Sequence, residues 1–315
     1  MGTISDNSCR WCIEATPVVV AHSAKARWFL EDPSNKETGH LVQCPQCDLL
    51  YFDQVFTTSQ LDSMYSGYRG PVYFQRRNKF EPWYTQKLND AIGHSNVVLD
   101  LRQEHLRNFL QEEIKFGSIA SPSRVLDVGG DEGQFIPNLE SISDRAVLEV
   151  SGVKPVENVS TISTWEEAAE FRPDMVMMCH VLEHTDEARK MCSDASRLLS
   201  TGGLLYVEIP LDRPKKIGSV FSKNFYGAYT KFLAGHPVAF RVADLLSLVS
   251  RRLFGQPIIG SVMKQNEHIN YFNRSSLNKV ICSMGYEEVR SSVYKPSSGV
   301  PILDVEALGV LYKKS

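Results

Sequence analysis

Val125-Leu126-Asp127-Val128-Gly129-Gly130-Asp131-Glu132-Gly133 passes from an apolar run straight into a glycine-rich turn. The segment Arg124–Val128 is short and mostly apolar, as a strand buried on both faces would be. Glycines after such a strand let the backbone approach a ligand closely. A phosphate-binding turn would read G-x-G-x-x-G. This one reads G-G-x-x-G, with Asp127 two residues ahead of it and Asp131 and Glu132 inside it. Those carboxylates repel a pyrophosphate and suit a cationic ligand.

From this turn outward the pattern alternates. Residues 134–141 read as a short helix, 146–150 as a second strand and 159–162 as a weaker third. Met175–Cys179 is a fourth strand. Residues 187–199 form an amphipathic helix, with Ala188, Met191, Cys192, Ala195, Leu198 and Leu199 on one face, and Gly202-Gly203 stops it. Residues 204–209 are a fifth strand, closed by Pro210. Strands separated by helices build a parallel sheet. The expected fold class is therefore α/β, a doubly wound, mostly parallel, Rossmann-like sheet that binds ligands beyond the carboxyl ends of its strands. Residues 275–284 read as a further helix, and Tyr286–Tyr294 with 307–313 as a terminal antiparallel hairpin.

Three regions follow. Residues 1–55 hold two C-x-x-C pairs and short β-prone runs. Residues 56–119 look helical and link to the 120–315 domain. Residues 211–265 break its alternation; they are aromatic and contain several Lys and Arg, and an insertion at the sheet's carboxyl edge is placed to act as a lid.

Cys9-Arg10-Trp11-Cys12 and Cys44-Pro45-Gln46-Cys47 form two knuckles. Each C-x-x-C turn directs two thiolates to one point, and two such turns complete a tetrahedral site without an open position. A structural Zn2+ on Cys9, Cys12, Cys44 and Cys47 is expected, although the 31 residues between the pairs exceed a usual zinc-ribbon loop. An incidental pair and a redox dithiol are the competing readings. Cys179, Cys192 and Cys282 read as small buried residues. The module carries four Lys/Arg and seven Asp/Glu, the wrong sign for a nucleic-acid clamp. The whole chain, at net charge −3, points the same way. No apolar run approaches the length of a membrane span and no signal core opens the sequence, so a cytoplasmic location without a membrane partner is expected.

The 125–133 segment resembles the first motif of class I S-adenosylmethionine (SAM) dependent methyltransferases, hydrophobic-x-D-x-G-x-G-x-G. Asp127, Gly129 and Gly133 match it, Gly130 takes a position often held by Cys, Ser or Gly, and Asp131 replaces the middle glycine. Glu149 stands where the family places a carboxylate on the ribose hydroxyls. Cys179-His180-Val181-Leu182-Glu183-His184 resembles the segment after the family's fourth strand, and residues 198–210 resemble its LLxxGGxLxxxxP element. The cysteine pairs, with Tyr65, Tyr68 and Tyr73, resemble the subgroup with an N-terminal zinc domain, which includes C-methyltransferases of deoxysugar biosynthesis. The resemblance implies SAM as cofactor. It also implies cofactor contacts from Asp127, Gly129, Gly130, Asp131, Gly133, Glu149, Cys179, His180 and Tyr73. For the tyrosines, aromatic packing is the alternative.

Methyl transfer from a sulfonium is an in-line displacement that depends on alignment. An alcohol or an enolisable carbon must also lose a proton to a base. In Gln265-Asn266-Glu267-His268-Ile269-Asn270-Tyr271-Phe272, Glu267 and His268 resemble the catalytic Glu-His pair of the sugar C-methyltransferases; helix capping is the plainer role. His184 is a second candidate base, and His236 lies in the lid. The expected function is methylation of a small molecule, a sugar or nucleotide-linked sugar, on carbon or oxygen. An RNA methyltransferase with a zinc clamp and a degenerate methyltransferase-fold scaffold are the alternatives; Asp131 is the main support for the latter.

Overall fold

The structure, a computed structural model, describes residues 8–23, 39–53, 67, 70–80, 84–91, 96–149, 153–211, 220–254, 268–295 and 306–315. The chain begins with β1 (Val18–Ser23), β2 (Gly39–Gln43) and β3 (Leu50–Phe52). Helices α1 (Pro71–Phe80), α2 (Gln86–Ala91) and α3 (Asn96–Phe116) follow. Next come β4 (Arg124–Val128), β5 (Asp144–Leu148), β6 (Ser160–Ile162), α4 (Trp165–Phe171), β7 (Met175–Cys179), α5 (Ala188–Leu198) and β8 (Leu204–Pro210). The remainder comprises α6 (Val220–Gly235), α7 (Pro237–Phe254), β9 (Asn270–Tyr271), α8 (Arg274–Ile281), β10 (Tyr286–Tyr294) and β11 (Ala307–Lys314).

The chain divides into two compact units. The first comprises Met1–Cys9, Glu14–His94 and Arg213–Tyr271. Its sheet has the order β1-β2-β3-β9, antiparallel throughout. The last strand comes from far along the chain, with Leu50 opposite Tyr271 and Tyr51 opposite Asn270. Ala21, Leu41, Leu50, Phe52 and Tyr271 form the small core of this sheet. Helix α6 packs against β1, and Leu233, Phe240 and Ala243 join α6 to α7.

The second unit comprises Arg10–Ile13, Ser95–Asp212 and Phe272–Ser315. Its seven-stranded sheet has the order β10-β11-β8-β7-β4-β5-β6. Strands β4 to β8 pair in parallel, while β10 and β11 form an antiparallel hairpin that joins through β11 to β8. Central β4 and β7 are apolar because helices cover both faces of a parallel sheet. Val125, Leu126, Met175, Val176, Met177 and Met178 are fully buried. Helix α3 sends Leu106, Phe109 and Leu110 into the same core. At the amino edge, the Asp174 carboxylate accepts hydrogen bonds from the backbones of Ser123 and Arg124, aligning β4 with β7. The Arg10–Ile13 turn is anchored by the start of α8 and by α5. Trp11 is buried edge-on against Phe272, with ring centroids 5.0 Å apart, and donates to the Ser276 carbonyl at 2.6 Å, while Arg189 donates to the Trp11 carbonyl.

The structure differs from the sequence reading at three places. Residues 134–141 form no helix; turns flank an irregular stretch at 137–139, because Pro137 has no N–H to donate and breaks the run. Helix α4 was not apparent from periodicity, since Ala168 alone among its residues is buried; it is instead set by Thr164, whose hydroxyl caps the Glu167 N–H. Cys179 and Cys192 are buried as expected, but Cys282 is exposed, because it lies in the short 3-10 turn that ends α8.

Candidate active site

In the second unit the strand order reverses between β4 and β7: the chain runs outward from β4 to β6, then returns to the other side. Crevices of open α/β sheets form at this switch point, beyond the carboxyl ends of the strands. The glycine turn follows β4 there, and His180 to His184 follow β7.

Asp127 is fully buried, and neither of its carboxylate oxygens accepts a hydrogen bond from the described residues. Burial pushes its pKa up to about 7, against the pull of the Arg102 guanidinium. A Cβ on Gly130 would stand 2.2 Å from Asp127 Oδ2, so any larger residue would displace this carboxylate. Asp131 has φ +55°, the left-handed conformation a glycine would take, which aspartate tolerates better than most residues. The departure from the motif therefore leaves the turn intact. Gly133 takes φ +72° in turn.

Behind this turn lies a buried polar cluster centred on Glu208 of β8. Glu208 Oε1 accepts from Arg102 at 2.5 Å, and Oε2 accepts from Tyr206 at 2.9 Å and Tyr294 at 2.7 Å. His180 completes the set, with Nε2 3.1 Å from Glu208 and Nδ1 3.2 Å from Glu183. Burial alone would raise the Glu208 pKa. The Arg102 charge and then the hydrogen bonds from His180 and Tyr294 outweigh it and hold the carboxyl well below the usual range. Burial and Arg102 would strip the proton from His180, but hydrogen bonds to Glu183 and Glu208 raise its pKa to about 9. His180 is thus an imidazolium at neutral pH. Arg102 also covers the Phe135 ring at 3.7 Å, and Gln103 donates to the Gln134 carbonyl, so α3 fixes the glycine turn from behind.

The other expected site residues are distributed as follows. Glu149 directly follows β5, half-buried, with its N–H donated to Ile162. Cys179 ends β7; burial drives its thiol pKa well up, so it presents a neutral surface. Tyr73 is buried in the first unit, where Arg77 donates to its hydroxyl at 3.0 Å. His184 belongs to the second unit, half-buried with Nε2 3.9 Å from Glu183. His268 is half-buried in the first unit. Glu267, Tyr65 and Tyr68 lie outside the described residues. His236 connects α6 to α7 and stacks on Phe232.

Cys9, Cys12, Cys44 and Cys47 are all buried, with sulfurs within 4.8 Å of one another. A left-handed residue follows each pair, Ile13 at φ +57° and Asp48 at φ +61°. Cys9 Sγ and Cys47 Sγ are 3.7 Å apart. Two sulfurs of a tetrahedral site with Zn–S bonds of about 2.3 Å stand about 3.8 Å apart, so the spacing fits the ion. The Cys9 hydrogen bond and burial push the Cys47 thiol far up.

Sequence reasoning missed Arg102, Glu208, Tyr206, Tyr294 and His105, whose ring stacks on Tyr294 at 3.9 Å. One signal was present. Glu208 is a lone carboxylate inside an apolar strand of a parallel sheet, where both faces are buried and a charge requires a partner.

The family described as methyltransferase domain matches residues 102–291. No curated protein matches the chain. Among solved structures, 1,6-didemethyltoxoflavin-N1-methyltransferase of Burkholderia thailandensis is similar at 12% identity and TM-score 0.44, over 90% of this chain and 98% of that one. Magnesium protoporphyrin IX methyltransferase from Synechocystis PCC 6803 is similar at 13% identity and TM-score 0.42, over 76% and 98%. The N-methyltransferase NodS from Bradyrhizobium japonicum WM9 is similar at 12% identity and TM-score 0.38, over 76% and 97%.

The His180 charge should make the second unit alkali-sensitive. Its folded pKa, about 9, lies above its ordinary value of 6.5, so its contribution to stability is complete below pH 6.5 and is lost as pH rises through 9. Unfolding midpoints measured from pH 6 to 10 should fall across that window, and His180→Asn should flatten the fall. Glu208→Gln leaves the Arg102 charge buried without its anion and should cost about 3–5 kcal/mol in denaturant titration. A stability profile indifferent to both substitutions would refute the role assigned to this cluster.

Proposed function

Because the chain belongs to the methyltransferase-domain family, matched over more than half its length, and is a class I SAM-dependent methyltransferase, we propose that it methylates a small-molecule acceptor, a sugar or nucleotide-linked sugar, and that a four-thiolate zinc braces its N-terminal module. The observation behind the cofactor site is the Asp127 carboxylate in the turn at the switch point, fully buried and without a hydrogen-bond partner among the described residues. A buried, unpaired carboxylate is costly by itself and gains most from a cationic ligand.

SAM supplies an electrophilic methyl carbon on a positively charged sulfur. The chain's own residues do the rest. Asp127 offers negative charge at a fully buried position, Gly129 to Gly133 let the backbone come close, and Glu149 can accept two hydrogen bonds from a cis-diol. His180, held cationic between Glu183 and Glu208, fixes the segment after β7. The proposed base is His268, which takes the proton from the acceptor hydroxyl or carbon as the new bond forms; Glu267 is proposed to orient it. The sugar assignment draws its support from the two C-x-x-C turns and the 265–272 segment, where the chain resembles deoxysugar C-methyltransferases.

SAM binding that selects ionised Asp127 must displace a proton at acidic pH. Affinity measured by calorimetry should fall about fivefold from pH 7 to pH 6, with proton release, and Asp127→Asn should abolish this dependence. Absence of SAM binding, or binding indifferent to pH and to the substitution, would sink the cofactor reading. The second measurement is metal content: the purified protein should hold one zinc per chain, and stripping it should expose four reactive thiols and lower the melting temperature. Metal-free protein with unchanged stability would exclude the brace. For the base, His268→Ala should lower kcat on a sugar acceptor by about 10²–10⁴ and leave SAM affinity in place; an unchanged kcat would remove His268 from the chemistry.

A further inference from the structure

Helix α7 turns Phe240 and Ala243 inward against Leu233 of α6. On its other side Val238, Val242, Leu245, Leu246, Val249 and Leu253 stand between 48% and 76% exposed. At helical periodicity these six fall within a sector about 100° wide, a continuous stripe along the helix. Phe225 and Phe232, two turns apart on α6, are also more than half exposed. Isolated exposed apolar residues are ordinary, whereas a contiguous stripe marks an interaction surface.

Local charge indicates the partner. The hairpin itself, residues 220–254, holds five Lys/Arg against one Asp, net +4 in a chain whose net charge is −3. Exposed Arg241 sits at one border of the stripe. A second copy of the chain would bring two such cationic segments together. A nucleic acid would answer the charge and leave the stripe in water. An anionic lipid surface accommodates both: the apolar stripe enters the headgroup boundary, and Lys and Arg meet the anionic lipids.

We propose that the α6–α7 hairpin lies on the surface of an anionic bilayer, with the α7 stripe buried in the interface. No helix among the described residues is long and apolar enough to cross a membrane, and surface attachment needs none. A search of the sequence for a spanning run does not detect such a surface, and the chain-wide charge conceals it. The inference is independent of the acceptor and of the catalytic base.

The test is co-sedimentation of the full chain with vesicles of phosphatidylcholine alone and with about 40% phosphatidylglycerol added. The anionic vesicles should bind at least about tenfold more protein, and about 0.5 M salt should remove most of the difference. Val242→Glu with Leu246→Glu should lower the partition at least about tenfold while SAM affinity stays unchanged. Val238→Ser with Leu253→Ser, which adds no charge, should lower it in the same direction. Three results would overturn the proposal: no preference for anionic vesicles, partition unaffected by either pair, or a wild-type dimer in velocity sedimentation that the same substitutions dissociate.

Discussion

Arg102 and Glu208 are a guanidinium and a carboxylate taken out of water together, 106 residues apart in sequence and 2.5 Å apart in the fold. Removing two ions from solvent costs several kcal/mol each, and mutual attraction offsets this only when the remaining donors and acceptors are also satisfied. Two tyrosine hydroxyls and an imidazolium occupy the remaining positions on the carboxylate. The flat face of the guanidinium rests on Phe135. One side chain of α3 therefore links the end of β8 to the loop after β4, and the backbone of His180 donates to the Glu208 carbonyl. Three strand ends are held in register by polar contacts at the edge where apolar packing gives out.

The same cluster keeps Asp127 unusual. The guanidinium that pulls on it, Arg102, is committed to Glu208, so the Asp127 carboxyl faces burial with only partial compensation. The arrangement concentrates unmet negative potential at one point of the unit. Preorganised, unpaired groups of this kind are stable only when surrounding contacts over-determine them.

Much of the second unit was legible in the sequence because its strands are buried on both faces and short. β4, β7, β8 and the β10–β11 hairpin lie where apolar runs and turn residues place them. The amphipathic α5 appears one residue inside its expected ends. What failed were elements decided by a single residue or by distance along the chain. Pro137 overrode an apolar pattern that otherwise suited a helix. α4 has too little buried surface to show a period. β9 is two residues long and exists only because β3 offers an edge. For the site, the glycine turn and the cysteine pairs were readable, since their chemistry is local. Arg102, Tyr294 and Glu208 belong together through the fold alone, and spacing cannot express that. Asp131 was readable as a departure; only its backbone angle reveals that it takes the left-handed conformation a glycine would take.

The pairing of β3 with β9 also dictates an order of events during synthesis. The cysteine-bearing sheet starts to form from residues near the N-terminus, yet the strand that closes it leaves the ribosome only after some two hundred further residues. Throughout that interval Leu50 and Tyr51 present a bare strand edge, the kind of surface on which nascent chains pair with one another. An early fragment ending before β9 keeps that edge indefinitely and should be prone to self-association however well its cysteines are ligated.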